Sequence, residues 1–138
     1  MSQLVIDASL TLSWFLEDEQ NRDYSLAVLA GLAQNEALVP FLWTYEISNG
    51  LVIASRRKRI TFDQVAEFLN RLGPLPIQID PPDAQTVFRL PPLAEAHGLT
   101  GYDTAYLELA MRLKLPLATN DKALLRAAAA CGVPLVQP

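Results

Sequence analysis

The sequence predicts an α/β fold, a three-layer α/β/α sandwich around a short, mainly parallel central sheet. Three observations predict it. Short apolar runs alternate along the chain with segments of helical period. The runs are apolar at consecutive positions, as in strands covered on both faces. Finally, 138 residues, 51% of them hydrophobic, are enough to enclose one core, so residues 1–138 read as a single domain. In such a fold a ligand crevice is expected at the carboxyl ends of the strands.

Leu4-Val5-Ile6 is the first strand, ending at Asp7. Residues 8–16 form a short helix, and Asn21 to Gln34 a longer one in which Leu26, Leu29, Ala30 and Ala33 recur at helical spacing. Ala37-Leu38-Val39 is the second strand, stopped by Pro40. Leu42 to Arg57 returns to helix, with Ile47, Leu51 and Ala54 on one stripe and Glu46 near its start. Thr61 is the expected N-cap of a helix over Phe62 to Leu72, and Gly73-Pro74 ends it. Pro76 to Ile79 is the third strand, and Asp83 is the expected cap of the segment that follows. In that segment, residues 84–97, Pro91-Pro92 removes two amide donors, which predicts a bent pair of short helices. Gly101 to Leu113 has the strongest helical signal, with Ala105, Leu109 and Met111 to Leu113 expected inward and Asp103 in the first turn. Leu115 to Thr119 is the fourth strand, and Lys122 to Ala130 the last helix, closed by Gly132. Val133 to Val136 is expected as an edge strand, where its proline is tolerated.

The opening Met1-Ser2-Gln3 lacks a basic leader, and no apolar stretch is long enough to span a membrane, so a soluble, cytoplasmic protein is expected. The one cysteine, Cys131, excludes a disulfide framework within the chain and reads as a small buried thiol. His97, the one histidine, precedes Gly98 at a helix end and reads as a C-terminal capping residue. Chemistry based on histidine pairs is thereby excluded. A net charge of −4 argues against nucleic acid at first sight, because phosphate binding draws on lysine and arginine. Were four carboxylates committed to cations, however, the remainder would be neutral, −4 minus −4.

Asp7 and Asp121 each follow a predicted strand, and Glu46 and Asp103 open helices, so all four tend to one edge of the sheet. A carboxylate at a helix N-terminus can also be purely structural. Four together repel and raise one another's pKa unless a hard cation, magnesium or manganese, sits between them. By the same standard Asp80 and Asp83 read as turn and cap residues, Glu17, Asp18 and Glu19 as a solvated loop, and Glu108 as a surface or neighbouring group. Arg56-Arg57-Lys58-Arg59 is either a grip on RNA phosphates or a cluster favoured by the dipole at a helix C-terminus. Trp14, Phe15, Trp43 and Tyr45 read first as core, with base stacking or a partner helix as the alternative.

Four stretches, Leu4 to Ser9, Glu46 to Asn49, Tyr102 to Ala110 and Ala118 to Leu124, occur in an order and spacing that resemble the PIN-domain nucleases, and within them the VapC toxins of bacterial toxin–antitoxin pairs. The resemblance covers nearly the whole chain. It implies that Asp7, Glu46, Asp103 and Asp121 are both catalytic and metal-holding, that Ser9 and Thr119 support them, and that Mg2+ or Mn2+ is the cofactor. It also implies an RNA substrate cut by water to 5′-phosphate and 3′-hydroxyl ends, a cognate antitoxin protein, and a homodimer. The Pro91-Pro92 pair departs from the family's pattern. Of the rivals, a phosphorelay receiver lacks its acidic pair, since Ala8 and Ser9 follow Asp7, and an aspartyl phosphatase lacks its second aspartate. An inactive PIN-like binding module remains, weakened by the presence of all four acids.

Overall fold

A computed structural model describes residues 2–138. Met1, part of the opening segment read as lacking a basic leader, lies outside the described residues. The elements run β1 (Ser2–Ile6), α1 (Ala8–Ser13), α2 (Arg22–Gly31), β2 (Asn35–Pro40), α3 (Leu42–Arg56), α4 (Phe62–Leu72), β3 (Ile77–Asp80), α5 (Thr86–His97), α6 (Gly101–Leu113), β4 (Leu117–Ala118) and α7 (Lys122–Ala130).

Every strand pairing is parallel, and the sheet order is β3-β2-β1-β4. Val5 and Ile6, neighbours whose side chains must point to opposite faces of β1, are both fully buried, so helices cover both faces. This is the expected α/β/α sandwich. The chain steps one way from β1 to β2 to β3 and then returns to the other side of β1 for β4. The order therefore reverses between β1 and β4, and the crevice of a doubly wound sheet opens at the carboxyl end of such a pair. The register Ile6↔Ala118 brings the residues after these two strands, Asp7 and Thr119, side by side. Among the described residues no helix is long and apolar enough to cross a membrane.

Local signals place several elements well. Thr61 accepts from Gln64 N while the Gln64 side chain accepts from Thr61 N, a complete capping box that starts α4 at Phe62. Gly98 and Gly132 adopt φ of 62° and 71°, the left-handed conformation that suits glycine just past a helix.

Other expectations need correction. Residues 84–97 are not a bent pair of helices, because α5 runs unbroken through Pro91 and Pro92. The two missing donors would have served the carbonyls of Val87 and Phe88, residues that are 65% and 71% exposed, so water can satisfy both acceptors. Restoring one donor with Pro92→Ala is expected to stabilise the fold by about 1 kcal/mol or more, read as a higher midpoint in urea unfolding. Asp83 does not cap α5 through its side chain; it accepts from Gln85 N, closing a turn one residue earlier. Met111 and Leu113 are exposed rather than inward, whereas Ala105 and Leu109 are buried as expected, joined by Thr104, Tyr106, Leu107 and Ala110.

The fourth strand shortens from 115–119 to two residues, and the expected edge strand at 133–136 is a single bridge, Leu117↔Leu135. Pro116 and Pro134 explain both, since neither can donate to a ladder; Pro134 contributes only its carbonyl, to Leu117 N. Cys131 is half-buried rather than buried, with its Sγ 3.2 Å from His97 Nε2. His97 thus spends its ring on a thiol and does not cap carbonyls.

Candidate active site

Asp7 is the N-cap of α1, and its Oδ1 accepts from Leu10 N at 2.9 Å and Ser9 Oγ at 3.1 Å. Its Oδ2 accepts from the Thr119 hydroxyl, across 112 residues of sequence. The residue is 5% exposed. Burial pushes its pKa up to about 6, helped by the nearby charge of Asp103 and opposed by the hydrogen bonds from Thr119, Leu10 and Ser9.

Thr119 also accepts from Asp121 N at 3.0 Å, so a single hydroxyl oxygen links the turns after β1 and β4. Asp121 in turn caps α7, accepting from Leu124 N at 2.8 Å. Asp103 sits in the first turn of α6, whose N-cap Thr100 accepts from the Asp103 N–H. Its pKa is raised by burial and by the charge of Asp121. Glu46 lies in the second turn of α3, and its Oε1 accepts a 2.6 Å hydrogen bond from the Tyr106 hydroxyl on α6. Burial raises its pKa, as does Asp103, while the Tyr106 bond lowers it.

Asp103 is therefore the hub of one electrostatic neighbourhood, felt by Asp7 and by Glu46 and itself feeling Asp121. Among the described residues every ion pair involves other acids, Asp18, Glu19, Glu67, Asp80, Asp83 and Glu108. Four oxygen donors, none of them in an ion pair among the described residues, are a donor set of the kind that a hard divalent cation favours. Among the described residues no three histidine, cysteine or acidic side chains stand close enough to hold one metal ion. Asp7 turns to Ser9 and Thr119, Glu46 to Tyr106, and Asp121 to its own helix.

Thr119 makes the strongest of the contacts that favour ionised Asp7. Replacing it by valine keeps the shape but removes both the donor to Asp7 and the acceptor for Asp121 N. Thr119→Val is expected to destabilise the fold by about 1–3 kcal/mol at pH 7 and by less at pH 4, where Asp7 is protonated and only the loss at Asp121 N remains in full. Urea titrations at the two pH values measure the difference.

The basic cluster divides. Arg59 is engaged with Asp18 at 2.5 Å and Glu19 at 2.9 Å, so it is not a free phosphate contact. Arg56, Arg57 and Lys58 are exposed at the far end of α3. Arg56 stands ten residues past Glu46 (56 minus 46), about 15 Å along the helix. Glu108 belongs to a separate network with Arg89 and Arg112, on the wall of a cavity of about 750 Å³ that none of the four acids lines. Trp14 and Trp43 are core residues whose indole N–H groups reach Ser25 O and Thr11 Oγ1, and Phe15 packs on Phe68 at 4.8 Å. Tyr45, 67% exposed beside Glu46, is the one of these aromatics open to a ligand.

Two residues near the centre escape sequence reasoning. Tyr106 is fully buried and reads as core, although its place three residues after Asp103 puts both on one face of α6. The pKa of Tyr24 is raised by burial and then by the charge of Asp7, while its hydroxyl donates to Val136 O. No local pattern marks it.

A sequence profile described as the PIN domain matches residues 4–130. No curated protein sequence matches the chain. Among solved structures, PAE2754 from Pyrobaculum aerophilum is similar at 24% identity, covering 91% of this chain and 79% of that one, with a TM-score of 0.65. VapBC2 from Rickettsia felis, solved bound to a DNA fragment from their promoter, is similar at 14% identity over 97% of both chains, with a TM-score of 0.64. FitAcB from Neisseria gonorrhoeae is similar at 19% identity, covering 98% of this chain and 97% of that one, with a TM-score of 0.54. At these identities the likeness is one of fold.

Proposed function

The chain belongs to the PIN domain family, generally nucleases, and from that premise we propose that it is a metal-dependent endoribonuclease, the toxin component of a toxin–antitoxin pair. The observation that carries the reading is the placement of the four acids beside the β1/β4 reversal, with Asp7 and Asp121 bonded to one Thr119 hydroxyl and Glu46 bonded to Tyr106 one turn after Asp103, and none of the four in an ion pair among the described residues. The four carboxylates would hold Mg2+ or Mn2+. The cation would supply positive charge that acidifies an attacking water and offsets charge developing on the phosphodiester.

This chain's own residues do the positioning. Thr119 and Ser9 fix the Asp7 carboxylate, and Leu10 N holds its Oδ1 against α1. The Thr119 oxygen sets the turn from which Asp121 projects. Asp103, at the positive end of the α6 dipole, tolerates its charge among three other acids. With water as nucleophile the products carry 5′-phosphate and 3′-hydroxyl ends. Exposed Tyr45 offers a face for an unpaired base, and Arg56, Arg57 and Lys58 offer contacts for phosphates farther along a strand.

VapBC2 and FitAcB are similar in fold along almost their full lengths, and reading them as toxin–antitoxin assemblies supports a protein antitoxin as partner. A homodimer in the cytoplasm completes the proposal.

Incubating the purified protein with total RNA, with Mn2+ or with chelator, and sequencing the new ends tests it. Metal-dependent cuts bearing 5′-phosphate and 3′-hydroxyl are expected. Ends with 2′,3′-cyclic phosphate would contradict water as the nucleophile, and binding without cutting would favour an inactive module.

A further inference from the structure

The cavity of about 750 Å³ opens where β2 and β3 end, between Pro40 and Phe41 on one side and α5 and α6 on the other. It shares the carboxyl edge of the sheet with the four acids: Leu42 on its wall stands one turn before Glu46, and Tyr102 immediately precedes Asp103. Its volume is that of a small-molecule site, about 300–1,000 Å³. Phe41 and Tyr102, 43% and 66% exposed, offer aromatic faces, and Pro81, Pro82 and Leu90 add apolar wall. The same wall carries a chain of alternating charges, Asp83–Arg89–Glu108–Arg112–Asp80.

Both arginines in that chain are engaged. Arg112 donates through Nε to Glu108 Oε1 and through Nη2 to Asp80 Oδ2, while Arg89 stands against Asp83 and Glu108 Oε1. Glu108 Oε2 and Asp80 Oδ1 accept no hydrogen bond among the described residues, and neither is sealed from solvent. Three acids against two arginines leave the wall with an excess of negative charge, which repels a phosphate. A flat, neutral ligand with N–H donors suits these faces and acceptors.

Resting on the reading of RNA as substrate, we propose that this cavity is a specificity subsite for an unpaired nucleobase bearing an exocyclic amino group, next to the phosphodiester held at the acidic centre. The base stacks on Tyr102 or Phe41, and its amino group donates to Glu108 Oε2 or Asp80 Oδ1. Adenine, guanine and cytosine carry such a group. Uracil instead brings a carbonyl oxygen on each side of its one ring N–H, and these oxygens are repelled by the carboxylates. The arginine bonds hold both carboxylates in place before a base arrives, and the subsite needs no metal.

Nucleosides lack phosphate, so they test the subsite without cleavage and in the presence of chelator. Adenosine, cytidine and uridine are titrated into 15N-labelled protein, following the backbone amides of Tyr102 and Ala105 and the side-chain Nε–H of Arg112. Adenosine and cytidine are expected to shift these resonances and to bind about tenfold more tightly than uridine, the low end of the discrimination that one base contact gives. Tyr102→Ala should weaken all three about tenfold. Glu108→Gln and, independently, Asp80→Asn should bring cytidine and uridine closer, because an amide can donate to a uracil carbonyl; if one of the two fails to fold, the other carries the test. Equal affinities in the wild type, shifts confined to other residues, or an unchanged preference in the folded variants would overturn the proposal. Sedimentation of the same samples covers the rival occupant: substitutions that change the assembly mass and leave nucleoside binding alone would give the cavity to a second copy and overturn the subsite. A protein that cuts RNA yet ignores nucleosides would lose this subsite alone, whereas nucleoside binding without cleavage would strike the nuclease reading alone.

Discussion

Asp7→Asn is expected to abolish RNA cleavage while making the metal-free protein more stable at neutral pH. The side chain keeps an oxygen for Leu10 N, and asparagine is as good an N-cap as aspartate, so α1 loses nothing. What disappears is a buried charge and the acceptor for the Thr119 hydroxyl, whose oxygen can instead accept from the new amide. The folded pKa of Asp7 is about 6 against 3.8 for the free side chain, so between these values the folded state holds a proton that the unfolded state has released. Stability therefore falls as pH rises through this window, and the penalty is complete above pH 6. Its size is on the order of 2–3 kcal/mol, because each unit of pKa difference corresponds to about 1.4 kcal/mol. The wild type should thus lose stability between pH 4 and 6 relative to Asp7→Asn, and the difference between the two urea-unfolding profiles isolates the contribution of this one carboxylate. Cleavage should drop about a hundredfold or more, the usual cost of removing one preorganised charge-stabilising group. A variant that cuts at the wild-type rate would remove Asp7 from the centre.

The second large effect concerns divalent metal. Burial and neighbouring carboxylates raise the pKa values of Asp7, Glu46 and Asp103, so Mg2+ or Mn2+ bound there should stabilise the folded state in proportion to its occupancy. At a concentration one hundred times the dissociation constant the gain is about 2.7 kcal/mol, or a melting temperature about 10 °C higher for a chain of this size. The increase should shrink below pH 6, where protons compete for Asp7. It should be small in Asp7→Asn, and chelator should remove both the increase and the cleavage. Scanning calorimetry in matched ionic strength separates this from a general salt effect; equal shifts with Na+ would speak against a specific centre.

How much of this is legible in the amino-acid order depends on whether the cause is local. The capping box of Thr61 and Gln64 involves residues three apart, and α4 begins where that pair predicts. Leu4-Val5-Ile6 is apolar at every position because both faces of β1 are covered, and it too is read correctly. The prolines mislead in both directions. At Pro91-Pro92 the helix survives because α5 buries none of its residues and water reaches the freed carbonyls. At Pro116 and Pro134 ladders are lost that the apolar character suggested, since a strand without donors cannot pair along its length.

The neighbourhood of the centre divides along the same line. Asp7 and Asp121 stand after strands, a position the sequence displays. Thr119 reaches Asp7 only because β1 and β4 are adjacent in register, which depends on sheet order and not on any nearby residue. Tyr106 is hidden for a different reason, because a tyrosine in an apolar helix is indistinguishable from core until its hydroxyl is seen to meet Glu46. The basic run 56–59 looks uniform, yet Arg59 alone folds back onto Asp18 and Glu19.

Anomalous diffraction from crystals grown with Mn2+ is the most direct measurement. The account predicts a peak within about 2–2.5 Å of carboxylate oxygens from Asp7 and Asp103, with Glu46 and Asp121 completing the surroundings directly or through water. A fully loaded crystal with manganese elsewhere, and these oxygens still turned to their hydrogen-bond partners, would contradict it.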